Sequence, residues 1–496
     1  MRRLGLLNEA CIIARHYVFK DTHQGTTRMR RLTRWTVWFA LCALLLAAAA
    51  AALLAFSSIG QNLVAEASSR SPQELIRYLK RRLEGHNKLE AVLLPPLHAA
   101  QRHFEREPPA DPLPTLGKGQ QATALKEPIA GITQELRVDS PQAIRQALLQ
   151  AKAGTRIVVA PGLYPFSLKL RLGNDGRSDA PIVLSAEQPG TVWFQFAQVE
   201  GILVDRPHWT FENLDMRGVC QRHDDCEHAF HVVGQAAFTT IRNNRITDFN
   251  AHIKVNGHNG DWPDHGLMAH NTLTNTEPRQ TLRSVVPFDL VGANHWRVQD
   301  NLVSNFAKRD GNKVSFGIFM KGASEGGRIE RNLVICSLSE ISRSGVRVGI
   351  SFGGGGTDPG LCRNQACHAY EHRLGLAVNN IVAHCNDTGL DVNQSKQIVL
   401  AHNTLINTSG MATRGTLAQA RLYGNMYEGV ARARNGSRMT AEFNETLQHG
   451  SAFMNTDGLL LDWRQPPERV PSLKSLPDDF YRKPRGPGSL PGALNQ

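Results

Sequence analysis

Asn244-Arg245-Ile246, Asn271-Thr272-Leu273, Asn301-Leu302-Val303, Asn332-Leu333-Val334, Asn380-Ile381-Val382 and Asn403-Thr404-Leu405 repeat one phrase: an asparagine, then a short apolar run. Shorter versions stand at Asn213-Leu214 and Asn425-Met426. The gaps between successive asparagines are 31, 27, 30, 31, 48, 23 and 22 residues. One β-prone run and one fixed polar residue per period of this length is a solenoid signature. The runs are short, β-branched and bounded by Gly, Asn and Asp, so the solenoid is built of strands. The asparagines read as structural: stacked in a ladder, each side-chain amide bonds the turn backbone of the next coil.

The chain has 496 residues, enough for a large core plus appendages. Its net charge of +12 is unevenly placed, because residues 1–35 hold eight basic and two acidic residues and so carry half of it. That cluster precedes Trp35 to Phe56, 22 residues without a charge. At ~1.5 Å per residue the run reaches ~33 Å, enough to cross a bilayer core. The basic residues are thus a membrane flank that sets the N-terminus in the cytoplasm, and no nucleic-acid partner is expected. The expectation is a single-pass inner-membrane protein with its body in the periplasm or outside the cell. An Ala65-Glu66-Ala67 pattern supports the alternative of secretion after cleavage near Ala67.

Ser71-Pro72-Gln73-Glu74 opens a helix, and a second helical stretch from Leu89 to Glu107 is expected to break at Pro95-Pro96. Asp139 to Ala151 is amphipathic, with Ile144, Ala147 and Leu148 on one face, and would cap the open end of the solenoid. The expected division is a basic cytoplasmic segment 1–34, a transmembrane helix or signal anchor 35–57, and a helical stalk with Pro-rich linker 58–118. The β solenoid with its capping helix follows over 119–462, and an exposed Pro-rich tail over 463–496.

Six cysteines lie in the body. Cys220 and Cys226 enclose a short polar loop, as do Cys362 and Cys367, and each pair is expected to be a disulfide in an exported protein. Cys336 and Cys385 end similar strands one long coil apart, and their pairing stays open. His223, His228, His368 and His372 lie near the cysteines but without the spacing of a zinc site, so no metal is expected.

Val159-Ala160-Pro161-Gly162-Leu163-Tyr164, then Ala180-Pro181-Ile182-Val183-Leu184, then Glu187-Gln188-Pro189-Gly190 resemble the opening coils of the chondroitinase B and alginate lyase family. The resemblance covers about Arg137 to Leu461. It implies an all-β fold, a right-handed parallel β-helix, that acts on uronate-containing polysaccharide.

The interior of such a helix is packed side chains, so chemistry must sit on outward positions of one sheet. Gly234, Gly257, Gly292 and Gly322 each end a strand before a ladder asparagine. Counting back four and two residues gives Phe230/Val232, Ile253/Val255, Phe288/Leu290 and Ile318/Met320, all apolar and therefore inward. By alternation the outward columns are His231, Lys254, Asp289, Phe319 and Val233, Asn256, Val291, Lys321. Ser351, Gly353, Asp391 and Asn393 extend the frame.

Lys321 ends its strand ahead of Gly322-Ala323-Ser324, a placement similar to the family's catalytic lysine. β-Elimination removes the proton α to a uronate carboxylate, which calls for a base and for a cation beside the developing enediolate. The resemblance thus implies Lys321 as base and Lys254 or Arg347 as the carboxylate partner, with His231, Asn256, Asp289, Asp391 and Asn393 binding sugars. The family's next strand carries an Arg-His phrase, but here that strand reads Gly349-Ile350-Ser351-Phe352-Gly353, leaving Arg347 just before it. Where calcium-using members place acids, this chain has Val314 to Phe316, so no cofactor is expected. Two insertions, His258 to Gly266 and Gly353 to about Arg373, would shape a groove. The function expected is lyase or C5 epimerase action on an acidic polysaccharide. The alternative is a non-catalytic module that binds an envelope glycan.

Overall fold

The computed structural model describes residues 86–104, 106, 116–123 and 129–495 apart from 340, 342, 355–356, 448–451 and 474, with a few residues between 75 and 83. The apolar run 35–57 and the basic segment before it lie outside the described residues. Among the described residues no helix is long and apolar enough to cross a membrane.

Three parallel sheets of 12, 10 and 11 strands run the length of the body, and each coil contributes one strand to each. This is a parallel β-helix, consistent with the right-handed sense expected. The corner between the first two strands of a coil is two residues long. Its first residue is left-handed in coil after coil: Asn213, Asn243, His270, Asp300, Arg331, Asn379 and His402 all have φ between 50° and 65°. Asn and Asp tolerate that conformation best, which is why polar residues crowd these corners.

The second corner residue carries the ladder. Asn271 Oδ1 accepts from the Asn244 amide at 3.0 Å, Asn301 Oδ1 from Asn271 at 2.8 Å, and Asn332 Oδ1 from Asn301 at 3.1 Å. Each Nδ2 also donates to a main-chain carbonyl of the preceding coil, as Asn301 does to Met268 and Asn332 to Val298. The bonds therefore reach back to the preceding coil, not forward. Two ends of the expected ladder also move. Asn213 belongs to the left-handed column beside Asn243, and Leu214 holds the ladder position of its coil. At the other end the ladder continues past Asn425 to Asn444.

The core is continuous and aromatic at its start, with Phe166 stacked on Phe196 at 5.4 Å and Trp209 on Phe211 at 5.9 Å. The helix Pro141–Gln150 closes that end. Ser140 caps it by accepting from the Ala143 amide, and Ile144, Ala147 and Leu148 are buried.

Three expectations about the ends are corrected. The helix Asn87–Phe104 runs through Pro95 and Pro96. The carbonyls those prolines leave free belong to Ala91 and Val92 on an exposed surface, so the missing amides are tolerated. The parallel coils span 134–446, and residues 453–463 form an antiparallel hairpin instead of a last coil. The tail is not exposed: Phe480, Ala493 and Leu494 are buried with Leu333, Ile335, Ile381 and Ile406. Those strand residues point outward, and burying them stabilises the packed tail by roughly 25 cal/mol per Å² of apolar surface removed from water.

Cys220–Cys226 and Cys362–Cys367 are disulfides, with Cα separations of 5.7 and 5.8 Å. Cys336–Cys385 is a third, joining successive coils with Cα atoms 4.9 Å apart.

Candidate active site

The 10-stranded sheet carries the site. Its register pairs His231 with Lys254, Lys254 with Asp289, and Asp289 with Phe319. The neighbouring column pairs Val233, Asn256, Val291 and Lys321 in the same order. Between the columns, Val232, Val255, Leu290 and Met320 point inward and are fully buried.

Asp289 lies between two amines. Lys254 Nζ donates to its Oδ2 at 2.5 Å, and Lys321 Nζ stands 3.5 Å from Oδ1. Burial alone would raise the Asp289 carboxyl, but the two ammonium groups outweigh it and hold it at about 2. Asp289 is 3 % exposed, so it holds the lysines in place and has little surface left for the sugar contact expected of it. Lys321 Nζ also sits over the Phe319 ring, 4.2 Å from its centroid, and Phe316 stacks on Phe319 at 4.2 Å.

His231 is the second centre. Its Nδ1 is 2.7 Å from Glu200 Oε1 and its Nε2 2.8 Å from Asn256 Oδ1. Lys169 completes the group at 2.6 Å from Glu200. The hydrogen bond from His231, with help from Lys169, overrides burial and brings the Glu200 carboxyl down from 4.5 to about 2. A carboxyl lowered in the folded state stabilises above its unfolded value and loses that contribution as pH falls through the folded one. The stability gap between the wild type and Glu200→Gln is therefore expected to be full at neutral pH and to close between pH 4.5 and 2. Thermal melts across that range check it, and a gap independent of pH contradicts the pairing.

Glu200 escapes a sequence reading because no Gly turn follows its strand, Glu200–Val204, to start the count. Register does not find it either: one coil back His231 pairs with Leu203 and Glu200 pairs with His228, so the contact is made by side-chain reach along the sheet.

Three expected members are placed differently. Arg347 is 1 % exposed, and its guanidinium donates to the Ile341 and Arg343 carbonyls beneath the loop ahead of its strand. It does not join the lysines. Asp391 lies on the face, but Arg414 takes its carboxylate at 2.9 and 2.7 Å and Ser351 adds a hydroxyl at 3.2 Å. Asn393 bonds the Gly354 carbonyl and steadies the insertion, at the far end of the face from His231.

The two insertions meet over the C-terminal ends of the site strands. Arg363 makes a two-toothed ion pair with Asp264 at 2.8 and 3.0 Å and lies over Trp262. Trp262 covers Gly257 and Gly292, where any β-carbon would strike its ring. The same loop grips the turn after Lys321. Arg363 donates its amide to the Gly322 carbonyl, while Glu371 accepts the Gly322 amide at 3.1 Å. Gly322 and Ala323 are both left-handed, φ +78° and +61°, so the turn is strained at Ala323 and held from outside.

The sequence profile of the chondroitinase B family matches residues 138–315. The chain resembles that family. The matched span contains His231, Lys254, Asn256 and Asp289 and ends just before Lys321. Among solved structures, pectate lyase Pel9A superposes with a TM-score of 0.51 at 13% identity, covering 74% of this chain and 97% of its own. An alginate lyase from Paenibacillus sp. str. FPU-7 gives a TM-score of 0.37 at 15% identity, covering 64% and 96%. The pectate lyase match is a likeness of fold. No curated protein matches the sequence.

Proposed function

We propose that this chain acts on an acidic polysaccharide, removing the proton α to a uronate carboxylate and completing either β-elimination or C5 epimerisation. The observation that carries the reading is the pair of lysines, Lys254 and Lys321, sharing Asp289 on the outer face of the sheet. In the free-amine form Lys321 accepts the C5 proton. Lys254 neutralises the carboxylate as electron density moves onto it, a task that Arg347 is turned away from. In elimination the C4–O bond then breaks, a C4–C5 double bond forms, and the leaving oxygen takes a proton. His231, whose ring nitrogens both face oxygen atoms, is the group placed to give it. In epimerisation a second proton, from water, reaches C5 on the opposite face, and Lys321 releases the one it took to solvent.

The chondroitinase B match over residues 138–315 supports the substrate class. The uncharged run 35–57 and its basic flank support a tether to the inner membrane with the body in the periplasm or outside the cell. Secretion after cleavage near Ala67 is the other arrangement.

One observation favours a second reading. The coil after Lys321 presents Ser351 and Gly353 where the family has a cation, and Arg347 does not replace it. A face that binds an envelope glycan without turning it over fits that gap. Incubation with pectate, alginate and chondroitin sulfate separates the two. The enzyme reading expects ultraviolet absorbance of an unsaturated uronate or C5 inversion by NMR, whereas binding to a polymer without either product leaves the glycan-binding module.

A further inference from the structure

An open cavity of about 390 Å³ lies at the other end of the site strands, lined by Lys308, Arg309, Asp310, Gly311, Lys313, Arg343 and Ser344. Four cations and one carboxylate face it. At the lysine site and the loops beside it the charges meet as pairs, Lys254–Asp289, Arg363–Asp264 and Arg414–Asp391. Among the described residues no ion pair engages Lys308, Arg309 or Lys313. Lys308 is only 4 % exposed, and its ammonium is held by the Leu282 carbonyl and Asn312 Oδ1, both at 3.1 Å. Like charges gathered around one concavity repel, and an anion entering it relieves that repulsion.

Two strands of the sheet lead from the cavity to the site. Lys313 directly precedes the strand Val314–Lys321, and Arg343 and Ser344 lead into Val346–Phe352. Along the first of these strands stand Lys313, the partly exposed Phe316, Phe319 and Lys321 in turn. At ~3.3 Å per residue, Lys313 and Lys321 are at most about 26 Å apart, or about five coil spacings of ~4.8 Å. A polymer of roughly five sugar rings spans that distance.

We propose that this cavity is a second anion site that anchors a carboxylate or sulfate of the same acidic glycan, about five residues from the ring held at Lys321. The inference rests on the acidic-polysaccharide reading but not on turnover. An anchor tethered to a second contact adds affinity only when the ligand is long enough to reach both.

The test is calorimetric titration of the full chain and of R309E/K313E with polygalacturonate, alginate, chondroitin sulfate, a uronate trisaccharide and inorganic sulfate. Both residues are exposed, and matching thermal melts confirm that the variant folds. At low salt, the double charge reversal is expected to weaken binding of the preferred polymer about tenfold or more, and binding of its trisaccharide less than twofold. Equal polymer affinity in the two proteins overturns the proposal, as does an equal loss for the trisaccharide. Sulfate binding as tightly as the polymer would mark an isolated inorganic-anion site and overturn it too. A wild type that binds no polymer overturns both this inference and the acidic-glycan reading. Polymer binding that falls in R309E/K313E without turnover in either protein keeps the anchor and removes only the catalytic reading.

Discussion

Lys321→Ala is expected to lower turnover of the susceptible uronate polymer by about 10²–10⁴-fold, the usual contribution of a positioned proton acceptor. The effect should fall on kcat. In the proposed reading polymer binding is spread over Lys254, Asn256 and the rest of the face, whereas proton removal depends on one nitrogen. The strand end that carries Lys321 is fixed from three sides: by Asp289, by the Phe319 ring, and by the turn that Arg363 and Glu371 hold. Lys321→Arg should not rescue activity, because a guanidinium stays protonated and cannot accept the proton. Lys254→Ala should act differently, raising KM as well as lowering kcat, since the proposal has Lys254 meeting the carboxylate before and during the reaction. Steady-state kinetics on all three variants, with melts to show that each folds, check this. A Lys321→Ala enzyme that retains wild-type kcat removes the assignment.

Asn301→Leu carries the largest expected change in stability. Its Oδ1 accepts from the Asn271 amide, and its Nδ2 bonds the Met268 and Gln299 carbonyls at 3.1 and 2.8 Å. All of this lies in a fully buried corner. Leucine has a similar volume but offers no partner to those groups. Each of these three polar groups left unmatched costs about 1–3 kcal/mol, so roughly 3–9 kcal/mol is expected in total. The damage should not stop at one coil, because Asn271 and Asn332 each lose a ladder neighbour. Urea unfolding of the variant against the wild type measures it. A loss no greater than that of an ordinary surface substitution would mean that the ladder decorates the helix without holding it.

The ladder was open to reading from sequence because its asparagine recurs at one place in each coil with a β-prone run behind it. The site columns were open for a related reason: a Gly turn ends four successive strands, so alternation could be counted from a fixed point. Counting fails at Arg347. Gly349 faces the core side chain of Val382, and the next residue, Ile350, is buried as well, so two neighbours point inward and the alternation slips. Arg347, two residues before Gly349, is thereby carried under the loop. Asp391 was placed correctly on the face, yet its partner Arg414 comes from the following coil, and no local pattern reveals that pairing. The packed tail escaped for a different reason. Its Pro-rich composition resembles a linker, and the surface it covers becomes apolar only once Leu333, Ile335, Ile381 and Ile406 line up along one sheet.

Lyase and epimerase share one step, the loss of the C5 proton, and one measurement reports it for both. A uronate polymer tritiated at C5 is incubated with the wild type and with Lys321→Ala, and label released to water is counted. The account predicts steady release by the wild type on at least one polymer, and release by Lys321→Ala lower by about 10²-fold or more. No release by the wild type from any polymer, or undiminished release by Lys321→Ala, would contradict it.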